Sequence, residues 1–522
     1  MLLILERIGN WNPQLFREIK GRLNFRNAAL VVSASLLGQL FLIGIFSDHY
    51  NNDSFTMQVD GWLNIFRTLN LILPMALVLG GSYMLISDMS QEQRRGTLNF
   101  IRLTPQSSQV ILIGKMLGVP VLIYLATVLA LPLHLWAAIC ASVPLSLVFT
   151  FDLMVVAICS LFYSAAIFYT MLGETTPWIG TFLVVLLTYP TIIMLGSFME
   201  MARIDNLIYF NLQWFYFPLN STFTVALFSL LSICLATYGI WQFLNRRFHN
   251  PNATIISKSQ SYLLVTCTNL WMLGFGVTQI GSDSSYPPFI ALASFLYFLA
   301  PFCFLILIAA LSPHRQSLQD WARYRGEMNH GKRGKNKIFS AFPVGLQDLI
   351  FGEKSPVIIA IAINLAITAI IWIPGIIIFS SKLFYWGDQS SIFKTSAILG
   401  IAIATIISAN FILICAAIAQ FMLLIKTQKP QLWASATVAT VIILPIMIAL
   451  LSSAENNPIW LFSPFSAIAL PNASITAILS TIIAQWGILA IFSLQLTRQL
   501  RKIGESASKA MLTSRPSLPP SR

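Results

Sequence analysis

The chain has 522 residues, of which 56% are hydrophobic and only 10% charged, and its mean hydropathy is +0.74. A soluble domain carries roughly a quarter charged residues, so this composition excludes an ordinary soluble enzyme and reads as an integral membrane protein. The net charge of +13 does not imply a nucleic-acid partner. The basic residues fall in short clusters between apolar runs about 20 residues long, the length a spanning helix needs.

The opening stretch, "MLLILERIGNWNPQLFREIKGRL", reaches Glu6 and Arg7 too early for the long apolar core of a signal peptide, so it is expected to remain on the protein. Within residues 1–26, Trp11, Leu15, Phe16, Ile19 and Leu23 recur at helical spacing, with Arg17, Glu18, Lys20 and Arg22 on the other face. That pattern predicts an amphipathic helix lying in the membrane interface.

Hydropathy then predicts twelve spans, centred near residues 37, 75, 123, 160, 187, 231, 271, 300, 367, 408, 441 and 485. The expected fold is an all-α polytopic membrane protein. Placing the N-terminus inside puts all but four of the 32 Lys and Arg residues inside, the exceptions being Arg67, Arg203, Lys382 and Lys394. The outer loops instead carry acids such as Asp48, Asp53, Asp60, Glu200, Asp205, Asp283, Asp388 and Glu455. Both termini are therefore expected inside.

The two halves echo each other at an offset of about 252 residues. Trp214 and Pro218 correspond to Trp460 and Pro464, Arg246 to Arg498, and Pro105, Pro120, Pro177 and Pro190 to Pro356, Pro374, Pro430 and Pro445. The expected organisation is a six-span unit over 27–248, a second, divergent one over 249–500, and a cytoplasmic tail over 501–522. Six spans per unit make the repeats parallel in the membrane.

Between the second and third spans lies "SDMSQEQRRGTLNFIRLTPQSSQVILIGK", residues 87–115. Its first part favours helix, and Gly96 predicts an end or a bend. Leu98, Phe100, Ile101 and Leu103 then present apolar surface, and Pro105 restarts the chain before the next span. A short polar helix with exposed apolar residues calls for a partner surface.

With the preceding "NPQLFREIKGRL", this stretch closely resembles the type-2 ABC transporter permease family. The residues that carry the resemblance are Asn12, Pro13, Arg17 and Glu18, then Glu92, Gly96, Thr97, Leu98, Leu103, Thr104, Pro105, Gly114 and Lys115. The second half lacks a Gly-Thr-Leu sequence in its corresponding loop and matches only by its spans and the repeat.

The resemblance implies the membrane subunit of an ATP-driven exporter in the plasma (inner) membrane. Its coupling segment would sit on a separate ABC ATP-binding subunit, present in two copies. Glu92, Arg94 and Arg95 would set the register, and Leu98 and Ile101 would supply anchoring area. The chain itself would then bind no cofactor and hydrolyse nothing, with ATP and Mg held by the partner. The weakly charged, apolar spans favour an amphipathic, lipid-like or glycan cargo. Two alternatives stay open: a secondary transporter, and a non-transporting anchor for an ATPase.

Other motifs carry less. "GEMNHGKR" at 326–333 has Arg333 where a phosphate-binding loop needs Ser or Thr. The six cysteines are scattered without a CxxC pair, so neither a disulfide framework nor a metal site is expected. Arg67, Lys115, His134 and Asp152 are placed near span ends, poor material for an ion relay. Gly114 and Gly118 form a GxxxG, read as helix packing. The aromatic stretches at 209–218 and 457–464 are read as interfacial belts or short re-entrant segments.

Overall fold

In a lipid core no water satisfies the backbone, so apolar runs of this length close their hydrogen bonds internally as helices. The computed structural model is all-α apart from one two-stranded hairpin among its described residues. It describes residues 9–47, 59–172, 177–203, 213–251, 253–277, 288–331, 344–383, 391–427, 430–451, 458–470 and 473–504. The acidic loop residues Asp48, Asp53, Asp205, Asp283, Asp388 and Glu455, and the tail beyond residue 504, lie outside them.

The chain divides into two compact units, Met1–Leu212 with Pro218–Pro251, and Gln213–Phe217 with Asn252–Arg522. In the first, α1 (Pro13–Arg22) precedes α2 (Phe25–Ser47). Next, α3 (Val59–Met75), a π-helical turn (Ala76–Gly80) and α4 (Gly81–Arg95) form one continuous rod. The short α5 (Thr97–Arg102) and α6 (Ser108–Gly118) lead to α7 (Val121–Cys140), α8 (Leu145–Thr170), α9 (Pro177–Arg203) and α10 (Thr222–His249). Buried side chains from α4 and α8, among them Leu85, Ile86, Met89, Phe151, Tyr163 and Ile167, form the centre of this unit's core.

The second unit contains α11 (Lys258–Val277), α12 (Pro288–Leu311), α13 (Arg315–Gly331), α14 (Val344–Phe351), α15 (Ile358–Leu383), α16 (Ser391–Leu423), α17 (Pro430–Leu451) and α18 (Ile475–Gly504). The packing partners recur: α8 is flanked by α9 and α10, and α16 by α17 and α18; α2 rests on α7, and α11 on α15. Pro177 and Pro430 both open a helix, where the missing N–H costs nothing, and Pro190 and Pro445 both sit inside the helix that follows.

Among the described residues, eleven helices are long and apolar enough to cross a membrane. The span expected near residue 271 is α11, helical but more polar because its first turn is Lys258-Ser259-Gln260-Ser261. The rod Val59–Arg95 is 37 residues long, well beyond the roughly 20 that a bilayer requires, so one end projects. The span expected near residue 123 is broken at Pro120 into α6 and α7.

Residues 326–331, the start of the phosphate-loop look-alike, continue helix α13 rather than forming a loop between strand and helix. The aromatic stretch near 214 forms the hairpin β1 (Gln213–Trp214) and β2 (Phe217–Pro218). It packs inward: Trp214 Nε1 donates to Trp271 O at 2.9 Å and Phe215 N to Gly274 O at 2.7 Å. Its counterpart folds as a 3-10 turn, Pro458–Phe462, with Leu461 fully buried. His134, six residues from the end of α7, is buried, stacked on Phe66, with Nε2 2.7 Å from Asn70 Oδ1. The six cysteines are all free.

Candidate functional site

Helix α1 begins at Pro13. Asn12 caps it, its Oδ1 accepting from Leu15 N at 2.9 Å, and Pro13 follows at the first helical position. The other end of the Asn12 amide donates to Val110 O in α6 at 2.8 Å. One residue therefore caps one helix and ties it to another.

The contact between α1 and α6 is close because of two glycines. A Cβ on Gly114 would lie 2.6 Å from Asn12 Oδ1 and 2.9 Å from Leu15 N, and one on Gly118 would lie 2.6 Å from Glu18 Cβ. The GxxxG thus receives α1. The face of α1 that is buried carries Asn12, Gln14, Leu15 and Glu18, whereas Trp11 is 66% exposed. The docked face is therefore mostly polar, and it meets charged partners.

Those partners form a compact network. Lys115, 1% exposed, places Nζ 3.0 Å from Glu18 Oε1, 2.6 Å from Asp88 Oδ2 and 2.7 Å from Glu92 Oε1. Arg17 reaches Glu92 Oε1 at 2.9 Å, and Arg22 pairs with Asp88 and, at 3.4 Å, with Glu18 Oε2. Gln14 Nε2 donates to Glu18 Oε1 at 2.9 Å. Three carboxylates face three cations, so the charges balance within the chain. Burial alone raises the Glu18 carboxyl, but the Lys115 ammonium, with Arg17 beside it, outweighs burial and holds it below its ordinary value. The carboxylates of Glu18, Asp88 and Glu92 lie close enough to share a metal ion, yet the Lys115 ammonium already supplies the cation between them.

Beyond Glu92 the chain turns at Gly96, whose φ of +73° is left-handed and whose surroundings are open. This residue ends α4 and starts α5, with Thr97 Oγ1 donating back to Glu92 O at 3.2 Å. No protein-family model, curated protein or solved structure matches the chain. The site is therefore read from its own geometry.

Of the expected coupling residues, Arg94, Arg95, Thr97, Leu103 and Pro105 are exposed. Leu98 and Ile101 are not: they are 4% and 7% exposed and belong to the core of the first unit. The expectation that these two form the outward anchor is corrected. Three residues apart on a six-residue helix, they share its inner face, and Phe100 and Leu103, 78% and 84% exposed, occupy the outer one. In the second unit Leu318 and Trp321 are likewise buried, against Leu424, Leu496 and Leu500, and Trp321 Nε1 donates to Asp348.

Asp88 and Arg22 were missed by sequence reasoning. The signal was present: Asp88 lies four residues before Glu92, and Arg22 four after Glu18, each pair sharing a helix face.

Proposed function

We propose that this chain is the membrane subunit of an ATP-driven exporter of the type-2 ABC permease kind. In this reading α5 docks on a separate ATP-binding subunit, and the interior end of the rod is cytoplasmic. The observation that carries the reading is the convergence of Arg17, Glu18, Glu92 and Lys115 on one ion-pair network, with Asn12 and Gly114 at the α1–α6 contact beside it. These residues, which carry the resemblance, are scattered over about a hundred positions, yet they brace the root of an exposed helix.

The chemistry of that helix suits docking. Phe100 and Leu103 offer apolar area outward, with Arg94 and Arg95 beside them as a basic rim, the division of labour found at protein interfaces. Behind them, Leu98 and Ile101 fix α5 to the core, so a push on its outer face moves the packed end of α4 as well. The network ties α4 to α1 and α6. A displacement of α5 thereby reaches the π-helical turn and the span beyond it. The cargo is proposed to be amphipathic or lipid-like, and the membrane to be the plasma (inner) membrane.

The test is reconstitution. The chain is co-expressed with each ABC ATP-binding subunit encoded in the same genome, purified, and assayed for ATP hydrolysis alone and in complex. Magnesium-dependent hydrolysis by the complex, with none by the chain alone, is the expected result. Hydrolysis by the chain alone, or no complex with such a subunit, would overturn the proposal.

A further inference from the structure

The rod Val59–Arg95 is not a uniform helix. Pro74 removes one backbone donor, and after Met75 the five residues Ala76–Gly80 form a π-helical turn, a feature frequent at functional positions. On its inner side the turn is held by Tyr163, whose hydroxyl donates to Leu77 O at 2.7 Å and occupies the space where a Cβ on Gly81 would sit. On its other side the widened turn faces α2 and α7 across a groove of about 620 Å³. Ala34, Met75, Ala76, Leu79, Ile123 and Ala126 form its walls.

Polar chemistry in the groove is already used up. Ser35 is its one hydroxyl; Ser35 Oγ donates to Ala126 O at 3.1 Å and accepts from Gln39 Nε2 at 3.1 Å, and Gln39 also reaches Leu129 O. Nothing remains to orient a polar ligand or to hold water, which in a cavity needs two or more polar partners. The size lies within the range of ordinary ligand sites. The walls come from three membrane-spanning helices, and the surface beside them, Leu30, Leu71 and Ile72, is 61%, 47% and 45% exposed. The groove is continuous with the face the bilayer covers, so what reaches it is hydrocarbon.

We propose that this groove is a binding site for one acyl chain of a bilayer phospholipid. The small side chains Ala34, Ala76 and Ala126 make the depth, and the π-helical turn forms the wall against which the chain lies. The proposal needs only that these helices span a membrane; it does not depend on an ATP-binding partner.

The test uses the full chain in nanodiscs of phosphatidylcholine containing a small fraction of phosphatidylcholine with a photoactivatable diazirine in one acyl chain, followed by peptide mapping. Labelling of the Met75–Gly80 and Leu122–Ala126 segments is expected to exceed, severalfold, that of Phe182 and Leu186, which are exposed on another span. Ala126→Trp and Ala34→Phe, which fill the groove from opposite walls, should each abolish the excess while leaving Phe182 and Leu186 labelled as before. Groove labelling no greater than at Phe182 and Leu186 in the unaltered chain, a comparison that needs no variant to fold, would overturn the proposal. So would an excess that survives both substitutions.

Discussion

Lys115 Nζ lies 3.0 Å from Glu18 Oε1, joining α6 to α1 across 97 positions of the chain. The ammonium is buried and serves three carboxylates at once. Removing it by Lys115→Met leaves three carboxylates sharing only Arg17 and Arg22, with no cation buried between them. Breaking a buried pair in this way costs about 3–5 kcal/mol. The expected outcome is a lowered unfolding midpoint in detergent and protease cleavage within α1, with Glu18→Gln giving a smaller loss of the same kind. Unchanged protection of α1 in Lys115→Met would show that the network does not hold it.

The two glycines of α1 and α6 make a matched pair. Gly114→Ala forces a methyl into Asn12 and the Leu15 backbone, neither of which can withdraw without losing the helix cap. Gly21→Ala meets nothing within 4 Å in a helical position, and such a change is expected to be neutral or to stabilise by about 0.5–1 kcal/mol. Thermal unfolding of both variants checks this; equal effects would contradict the close packing at Gly114.

The network also has a direction in pH. The Glu18 carboxyl is held below its ordinary value in the folded chain, so the folded state favours its ionised form. Its contribution is complete above the unfolded value of about 4.3 and is lost as pH falls through the lower folded value. Protease accessibility of α1 should therefore stay constant from neutral pH down to about 4.3 and rise only below it. Glu18→Gln should flatten that dependence. Release of α1 near neutral pH would contradict the assignment.

At Gly96 the constraint is conformational. Its φ of +73° with open surroundings means that Gly96→Ala meets no clash, only the left-handed penalty of about 1–2 kcal/mol. Proteolysis at the α4–α5 junction should increase in Gly96→Ala and less in Gly96→Asn, since Asn tolerates that region better. Equal cleavage in all three would remove the turn from the account.

Much of this was legible in the residues. Apolar runs long enough to span a membrane have few alternatives, which is why the helices fall where hydropathy places them and why Asn12-Pro13 opens α1. Gly96 announced a break because a turn of this kind favours a residue without a Cβ. The facing of short helices was less legible: α5 is six residues long, so its three apolar residues, with Leu103 just past its end, fit either face until the core selects Leu98 and Ile101. Lys115 looked like a residue reaching for the membrane surface; its true environment depends on three acids distant in sequence or in turn. The π-helical turn after Pro74 has no composition signal beyond the proline itself.

The proposed docking of an ATP-binding subunit on the outer face of α5 is tested most directly by Phe100→Ser with Leu103→Ser. Neither side chain supports the fold, being 78% and 84% exposed, so abundance in the membrane and the unfolding midpoint should not change. Burying each is worth about 1.5–3 kcal/mol, so the measured dissociation constant for the ATP-binding subunit should rise by at least about a hundredfold. An unchanged dissociation constant in the well-folded double variant would contradict the account.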